Sequence, residues 1–427
     1  MTLLLLACAE PTVYPAGPEV FDEPLEVHES DDFLFAVDRI NRIDLEVDED
    51  AQEILRTQRR MSYPRDEVRV EAWVDGEEVG EIGLRMRGGL GSFTRFDHKP
   101  KWELDFNEYS GERFHGLESL SLNNMIEDCS SLRETVSAAA YGLAGAPTSR
   151  TGYAQLFVNG QDYGLYTVIE TQDDRWLDDT FPSNDGTFYD GKYQYKGGVV
   201  PYFVDFGAGR DHWFDQEEGE EGDRAEIAAI SAAVEQGQMG SSLWSLVDWD
   251  NLLRVLAVER FLGDDDGVAG FPNNYRVYFQ PGLPMRLVRW DLDASLFVAD
   301  GQVALRYDHY TDAPGMSLAR LCMDDADCRA LFDTIAEDVQ IALMNGDLLE
   351  LAQRAAFRTQ RAAEEDPRRG CRPNEVINAR EAILAYLETG DFAVRTDEDR
   401  EEEDYGCQHT APKGLLEVLT LLLARRR

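Results

Sequence analysis

Positive charge is scarce in this chain. Its 427 residues carry 41 Lys and Arg against 83 Asp and Glu, a formal net charge of −42. A field of that sign repels phosphate backbones and anionic headgroups, which argues against nucleic acid or a membrane surface as the primary partner. It also repels free nucleotide, so a nucleotide site here would need a local cation or a metal. Long apolar runs are missing as well. No stretch reaches the roughly 18 consecutive apolar residues of a membrane-crossing helix. The six cysteines form no CxxC pair and no Cys/His cluster at zinc spacing. EF-hand calcium loops are excluded by spacing, because such loops need carboxylates at alternate positions and a Glu at the twelfth. The stretch DDDG at Asp264 has consecutive carboxylates and no such Glu, and MDDADC at Met323 fails likewise. No internal repeat is present.

What remains is enough for a large core. Hydrophobic residues make up 43% of the chain, and the length implies two or three lobes. The N-terminus, MTLLLLACAEP, has the form of the end of a bacterial lipoprotein signal, with Cys8 as the lipidated residue after cleavage. The expectation is an exported protein, anchored to the cell envelope through lipid on Cys8. The basic residues that normally precede such a run are lacking, and if the apolar run is accidental the protein is cytoplasmic. Residues 9–32 are acidic and Pro-rich and read as a tether. An oxidising compartment would allow disulfides. Cys322 with Cys328 closes a short loop and Cys371 with Cys407 a longer one, leaving Cys129 as a buried thiol; this pairing is one of three. The acidic runs from Asp215 (DQEEGEEGD) and from Thr396 (TDEDREEED) read as solvated loop or linker.

Strand signals dominate the first half. The stretch VRVEAWVDGEEVGEIGLRMRG alternates around Asp75-Gly76, and AQLFVNGQDYGLYTVIE does so around Asn159-Gly160, both hairpin signals. KWELDFNEY continues as a strand. SSLRETVSAAAYGLAGAP reads as a single helix closed by Gly145 and Pro147. The second half is mainly helical: a helix over Trp249 to Leu262, others within 316–364 and 373–389, with strands RVYF and MRLVRW between them. A β-rich part with one helix, followed by a helical part, is an α+β arrangement of two lobes. The boundaries expected are 33–172 for the N-lobe and 173–395 for the C-lobe, followed by 396–427 with an acidic segment and a C-terminal helix. That last helix, GLLEVLTLLLARRR, is either a packing element or a surface-sorting signal.

Five segments occur in a recognisable order: LRMRGGLGS, HKPKWELDFNEYSGERFHGLESLSLNN, SLRETVSAAAYGLAGAPTSRTGYAQLFVNGQDYGLYTVIE, FLGDDDGVAGFPNNYRVYF and RWDLDASLF. In this series the chain, from about residue 35 to 390, resembles the spore-coat protein H (CotH) kinase-like family. The resemblance implies an atypical protein-kinase fold, ATP with Mg²⁺ or Mn²⁺, and phosphorylation of Ser or Thr on a protein partner.

The same resemblance implies roles for particular residues. Lys99, preferred to Lys101, would contact the α- and β-phosphates, paired with Glu134 on the N-lobe helix. Against that pairing stands a capping box, Ser131 to Glu134, which would use the same carboxylate at the helix N-terminus. Arg87, Gly88 and Gly89 would line the phosphates, since glycines let backbone N–H groups approach closely. RMRGGLGS is neither GxGxxG nor a Walker motif, however, and a plain glycine turn explains it equally well. Glu170 ends a strand where lobes hinge and backbone meets adenine. Asp266 would orient the substrate hydroxyl and take its proton. Asn274, with Asn273 adjacent, and Asp291, with Asp293 second, would ligate the metal, for which carboxylate oxygens suit a hard divalent ion. A strand-terminal N-cap is the plainer explanation of WDLD. The chain departs from the family in its three successive aspartates and in Pro100-Lys101, but no required group is lost.

The function expected is an atypical Ser/Thr protein kinase acting on a coat or surface protein, itself basic or Ser/Thr-rich. The alternatives are a non-catalytic coat scaffold on the same fold, or a kinase-fold enzyme that transfers AMP or an amino acid.

Overall fold

The computed structural model describes residues 30–390, apart from 61–63, 90, 192–193, 196–200, 208, 210, 221, 223, 265, 271 and 298–314. The expected signal and lipidated Cys8, nearly all of the tether, Cys407, and the acidic segment with its terminal helix lie outside the described residues.

Both expected hairpins form. Asp75 and Gly76 have φ of 50° and 80°, and Asn159 and Gly160 have 51° and 72°. Two successive left-handed residues give a two-residue turn whose twist matches that of the strands. These turns join β2 (Glu67–Val74) to β3 (Glu77–Arg87) and β6 (Thr151–Val158) to β7 (Gln161–Glu170). With β1 (Asn41–Glu46), β4 (Lys101–Asp105) and β5 (Ser119–Asn123) they close a seven-stranded barrel in the order β1-β2-β3-β4-β5-β7-β6. All pairs are antiparallel except β1 with β6, which is parallel. Alternation fills the interior: Leu84, Met86, Trp102, Leu104, Leu120, Leu122, Leu156 and Val168 are fully buried in one cluster. The residues between them, such as Lys101 and Glu103 on β4, therefore project outward.

Apart from α1 (Glu49–Thr57), the barrel region contains a single α-helix, α2 (Arg133–Leu143). Its start is not the expected capping box. Ser131 has φ of 57°, and Leu132 is the N-cap residue with no side-chain cap bond. Asp128 does the work from further back, its carboxylate accepting from the N–H groups of Ser130 and Arg133. The Glu134 carboxylate is thereby released from the helix end.

Beyond the barrel, α3 (Asp174–Thr180) leads to β8 (Thr187–Asp190). After the short β9 (Gln194–Tyr195) and β10 (Pro201–Tyr202), β11 (Asp215–Glu218), β12 (Tyr275–Phe279) and β13 (Arg286–Arg289) complete a sheet ordered β11-β8-β12-β13. The acidic stretch from Asp215, expected as loop, thus contributes an edge strand, because pairing with β8 satisfies its backbone while its side chains stay partly exposed. The helices α4 (Ala225–Val234), α5 (Ser241–Leu246), α6 (Trp249–Leu262), α7 (Ser317–Asp324), α8 (Ala326–Leu343), α9 (Asp347–Glu365) and α10 (Pro373–Thr389) follow in chain order. They bury a second, larger core that includes the inner face of α2. The architecture is mixed α+β, β-rich first and helical second.

Cys322 and Cys328 are bonded as expected. Cys371 pairs instead with Cys129, at a Cα–Cα distance of 5.6 Å, so Cys129 is not a free thiol. The loop before α2 lies against the loop between α9 and α10, a proximity that sequence spacing cannot display. No helix among the described residues is long and apolar enough to cross a membrane.

Candidate functional site

An acidic cluster, with Glu134 and Asp293 buried and Asp291 partly exposed, lies between the outer face of the barrel and the end of β13. Carboxylate oxygens of Glu134, Asp291 and Asp293 lie within 4.8 Å of one another. Lys101, projecting outward from β4, places Nζ 2.9 Å from Asp291 Oδ1 and 3.3 Å from Asp293 Oδ2. Asn123, on the neighbouring β5, donates to the same Asp293 oxygen at 2.9 Å. Helix α2 docks on the segment through Glu134, which accepts from the Leu292 N–H at 2.9 Å, and through Ser137, whose hydroxyl meets that of Ser295.

Three carboxylates against one ammonium leave surplus negative charge largely, though at Asp291 only partly, out of water. Burial pushes Glu134 well above the usual carboxylate range, and the charges of Asp293 and Asp291 push it further. Asp291 is raised mainly by burial, which the nearby Lys101 only partly offsets. At Asp293 the balance reverses: burial opposes ionisation, but Lys101 and the Asn123 amide outweigh it, and its pKa falls. Burial works against the Lys101 ammonium too, yet the two aspartates hold it charged. Such a set is coupled, and proton uptake at one member changes all. The surplus charge, the oxygen-only donors and their mutual spacing fit a hard divalent cation.

The loop after α6 carries the second part. Gly263 ends the helix in the left-handed conformation, and the chain turns back over Glu259, whose carboxylate accepts from the N–H groups of Val268 and Ala269 at 2.9 and 2.8 Å. A side chain at Gly267 would meet the Glu259 oxygens, with Cβ 2.3 Å from Oε1. This turn presents Asp266, which accepts from Asn273 and Asn274 Nδ2 at 3.0 and 2.9 Å. Asn274 also reaches the Asp291 carbonyl at 3.4 Å. Asn274 and Asp291 both have positive φ, 50° and 53°. Such strained backbone persists where surrounding contacts fix it, and it concentrates at functional sites. The structure therefore brings Asp266, Asn274, Asp291, Asp293 and Glu134 into one neighbourhood.

Lys99 is not part of it. Its ammonium is buried 2.5 Å from Asp366 Oδ2, and Asp366 also accepts from the Leu165 N–H at 3.0 Å. The expected pairing of Lys99 with Glu134 is thus replaced by a pair that ties the end of α9 to the barrel. Lys101 stands at the acidic cluster instead, because it is in the β4 ladder opposite Arg87 and projects with the polar face of the strand. Arg87 is half-exposed and pairs with Glu103 at 3.0 Å. Gly88 and Gly89 form a tight turn in which the Gly89 N–H donates to Ser92 Oγ. At Glu170 the carboxylate pairs with Arg150 at 2.5 Å and the N–H donates to the Arg150 carbonyl, so its amide is already used within the fold. Asp264, to which the sequence assigns nothing, is buried 2.6 Å from Arg289.

Residue-level matches with known proteins bear on this arrangement. Residues 84–388 match the family described as CotH kinase protein, and these span the glycine turn, Lys101, α2, the Asp266 loop and Asp291. The chain belongs to the CotH kinase protein family. It is also similar to the inner spore coat protein H of Bacillus subtilis (strain 168), 25% identical over 230 residues. That match covers 50% of this chain and 59% of the relative's length.

Several residues of this CotH chain escaped sequence reasoning. Glu127 lies under the glycine turn, its carboxylate packed against Gly91, where an added Cβ would come 2.4 Å from Oε1. Burial, with the charge of Asp293 next, raises the Glu127 carboxyl to about 7. Asn123, Glu259 and Arg289 were equally silent. One signal was available: the alternation in KWELD sets Lys101, Glu103 and Asp105 on the face opposite Trp102 and Leu104.

Proposed function

We propose that this CotH chain is a metal-dependent phosphotransferase with a kinase-like two-lobe plan, moving the γ-phosphate of ATP to a Ser or Thr hydroxyl of a protein. The carrying observation is the Glu134–Asp291–Asp293 cluster, two of its members buried, balanced only in part by Lys101 and linked through Asn274 to Asp266. Phosphoryl transfer asks for that combination of oxygen ligands, one cation and a carboxylate base. Asp291 and Asp293, with Glu134 and the amide oxygen of Asn274 nearby, would hold Mg²⁺ or Mn²⁺. The ion would neutralise charge on the phosphates. Lys101 would exchange its aspartate contacts for phosphate oxygens. Asp266 would orient the acceptor hydroxyl and accept its proton, held in place by the two asparagine amides. The acidic surface favours a basic or Ser/Thr-rich acceptor. The relative's name points to a coat or surface setting, and lipid on Cys8 would supply an anchor.

The test uses ATP labelled separately at the γ- and α-phosphates, with Mg²⁺ or Mn²⁺, and the Asp291→Ala variant. Transfer of γ label alone, lost in the variant, supports the proposal. Transfer of α label makes the protein an AMP transferase. A coat scaffold is the second reading, favoured by the ion pairs that already engage Lys101 with both aspartates. Failure of the wild-type protein to bind nucleotide would decide for it.

A further inference from the structure

Arg289 is fully buried and contacts both ends of the loop that presents Asp266 and Asn274. Its Nη1 donates to the carbonyl of Asn273 at 2.9 Å and to that of Asn274. Its Nη2 donates to Asp264 Oδ2 at 2.6 Å and reaches the Asp266 carbonyl at 3.5 Å. Nε lies 2.9 Å from Glu259 Oε1, the carboxylate around which the Asp264–Ala269 turn is wrapped. The backbone of Arg289 is fixed as well: its carbonyl accepts from Gln172, just past the barrel, and from Thr148. Two residues further on stands Asp291.

One guanidinium thus contacts the Asp266 turn and the Asn273-Asn274 turn from the strand that delivers Asp291, adding to the bonds that Asn273 and Asn274 make with Asp266 and that Asn274 makes with the Asp291 carbonyl. Its planar fork matches this task, since it offers several donors in fixed directions and remains charged beside two carboxylates. A lysine has one head, which cannot bond both asparagine carbonyls and Asp264 while also facing Glu259. We infer that Arg289 is the positioning residue of this site. It sets the separation of Asp266 and Asn274 from Asp291 and contacts none of the reacting groups itself. The inference rests on the phosphotransfer reading for its catalytic consequence and on geometry alone for its structural one.

The test compares Arg289→Met and Arg289→Lys with Leu348→Ala, a core substitution in α9 at a fully buried residue, all assayed where each is folded. Misplacement by about 1 Å can cost 100-fold in rate. Arg289→Met is expected to lose about that much kcat with KM for ATP changed by less than about threefold. Arg289→Lys, retaining the charge opposite Glu259 and Asp264, should fall between it and wild type. It also serves if Arg289→Met does not fold. Hydrogen exchange in residues 264–275 should quicken in both Arg289 variants and stay unchanged in Leu348→Ala. Loss of kcat no greater than in Leu348→Ala overturns the inference. If the wild-type protein transfers no phosphate, the phosphotransfer reading fails by itself, and exchange in 264–275 alone decides. Unchanged exchange in both Arg289 variants then overturns the positioning role.

Discussion

Lys101 and Asp291 meet at 2.9 Å across 190 residues of sequence. A strand of the barrel and the end of β13 are thus joined by one ammonium, while Lys99, only two residues before it, is committed to Asp366. The two lysines should therefore respond differently to the same substitution.

Lys99→Met leaves Asp366 buried without its cation, which costs about 3–5 kcal/mol in comparable cases. Chemical denaturation should show that loss, with affinity for Mn²⁺ and ATP unchanged under folding conditions. Lys101→Met strips Asp291 and Asp293 of their cation and should cost stability too, but it alone should weaken ATP binding and abolish transfer. The assignment is wrong if the two phenotypes are exchanged.

Divalent cation should stabilise the folded protein by mass action, about 2.7 kcal/mol at a concentration 100 times Kd. Thermal denaturation with and without Mn²⁺ measures this. The shift should vanish in Asp291→Asn and shrink in Glu134→Gln, and persistence of the full shift in both would remove the metal from this cluster.

Glu127 predicts a pH dependence in metal-free protein. Its folded pKa, raised to about 7 chiefly by burial, exceeds that of an unfolded glutamate, about 4.3. The folded state therefore binds the proton more tightly, and this contribution to stability is complete below about pH 4.3 and lost as pH rises through about 7. Glu127→Gln should flatten the decline over that window. Identical pH profiles for wild type and variant would show the carboxyl to be ordinary.

Opening the Cys129–Cys371 bond, which spans 242 residues, should cost about 2–5 kcal/mol. A Cys129→Ser/Cys371→Ser variant tests this by denaturation, with Cys322–Cys328 intact. A non-reducing peptide map that joins Cys371 to Cys407 instead would contradict the fold around α2.

Local order was legible in the sequence where the deciding residues are neighbours. The Asp-Gly and Asn-Gly turns, the helix ended by Gly145, and the strand running into Asp291 all follow from short-range rules. Partners chosen by tertiary contact were not legible. Nothing near Lys99 announces Asp366, 267 residues away, and nothing near Cys129 announces Cys371. The capping box failed for a related reason. Ser131 through Glu134 satisfies the local pattern, but Asp128 organises the helix start instead, its carboxylate accepting from the N–H groups of Ser130 and Arg133 and its carbonyl from that of Ser131, which leaves Glu134 to accept from Leu292. The distinction between Lys99 and Lys101 was available in principle, since the alternation of KWELD fixes only Lys101 to the polar face.

The parallel pairing of β1 with β6 has a consequence for how this protein meets its neighbours. It turns what would be an open sheet into a ring, so the seven strands offer no unpaired rim to a neighbour's backbone. The four-stranded sheet has β11 at one end, and there the sequence reads Asp-Gln-Glu-Glu, three acidic residues of four, which discourages strand addition. Neither the closed ring nor β11 therefore invites the endless β-pairing by which strand-rich proteins polymerise.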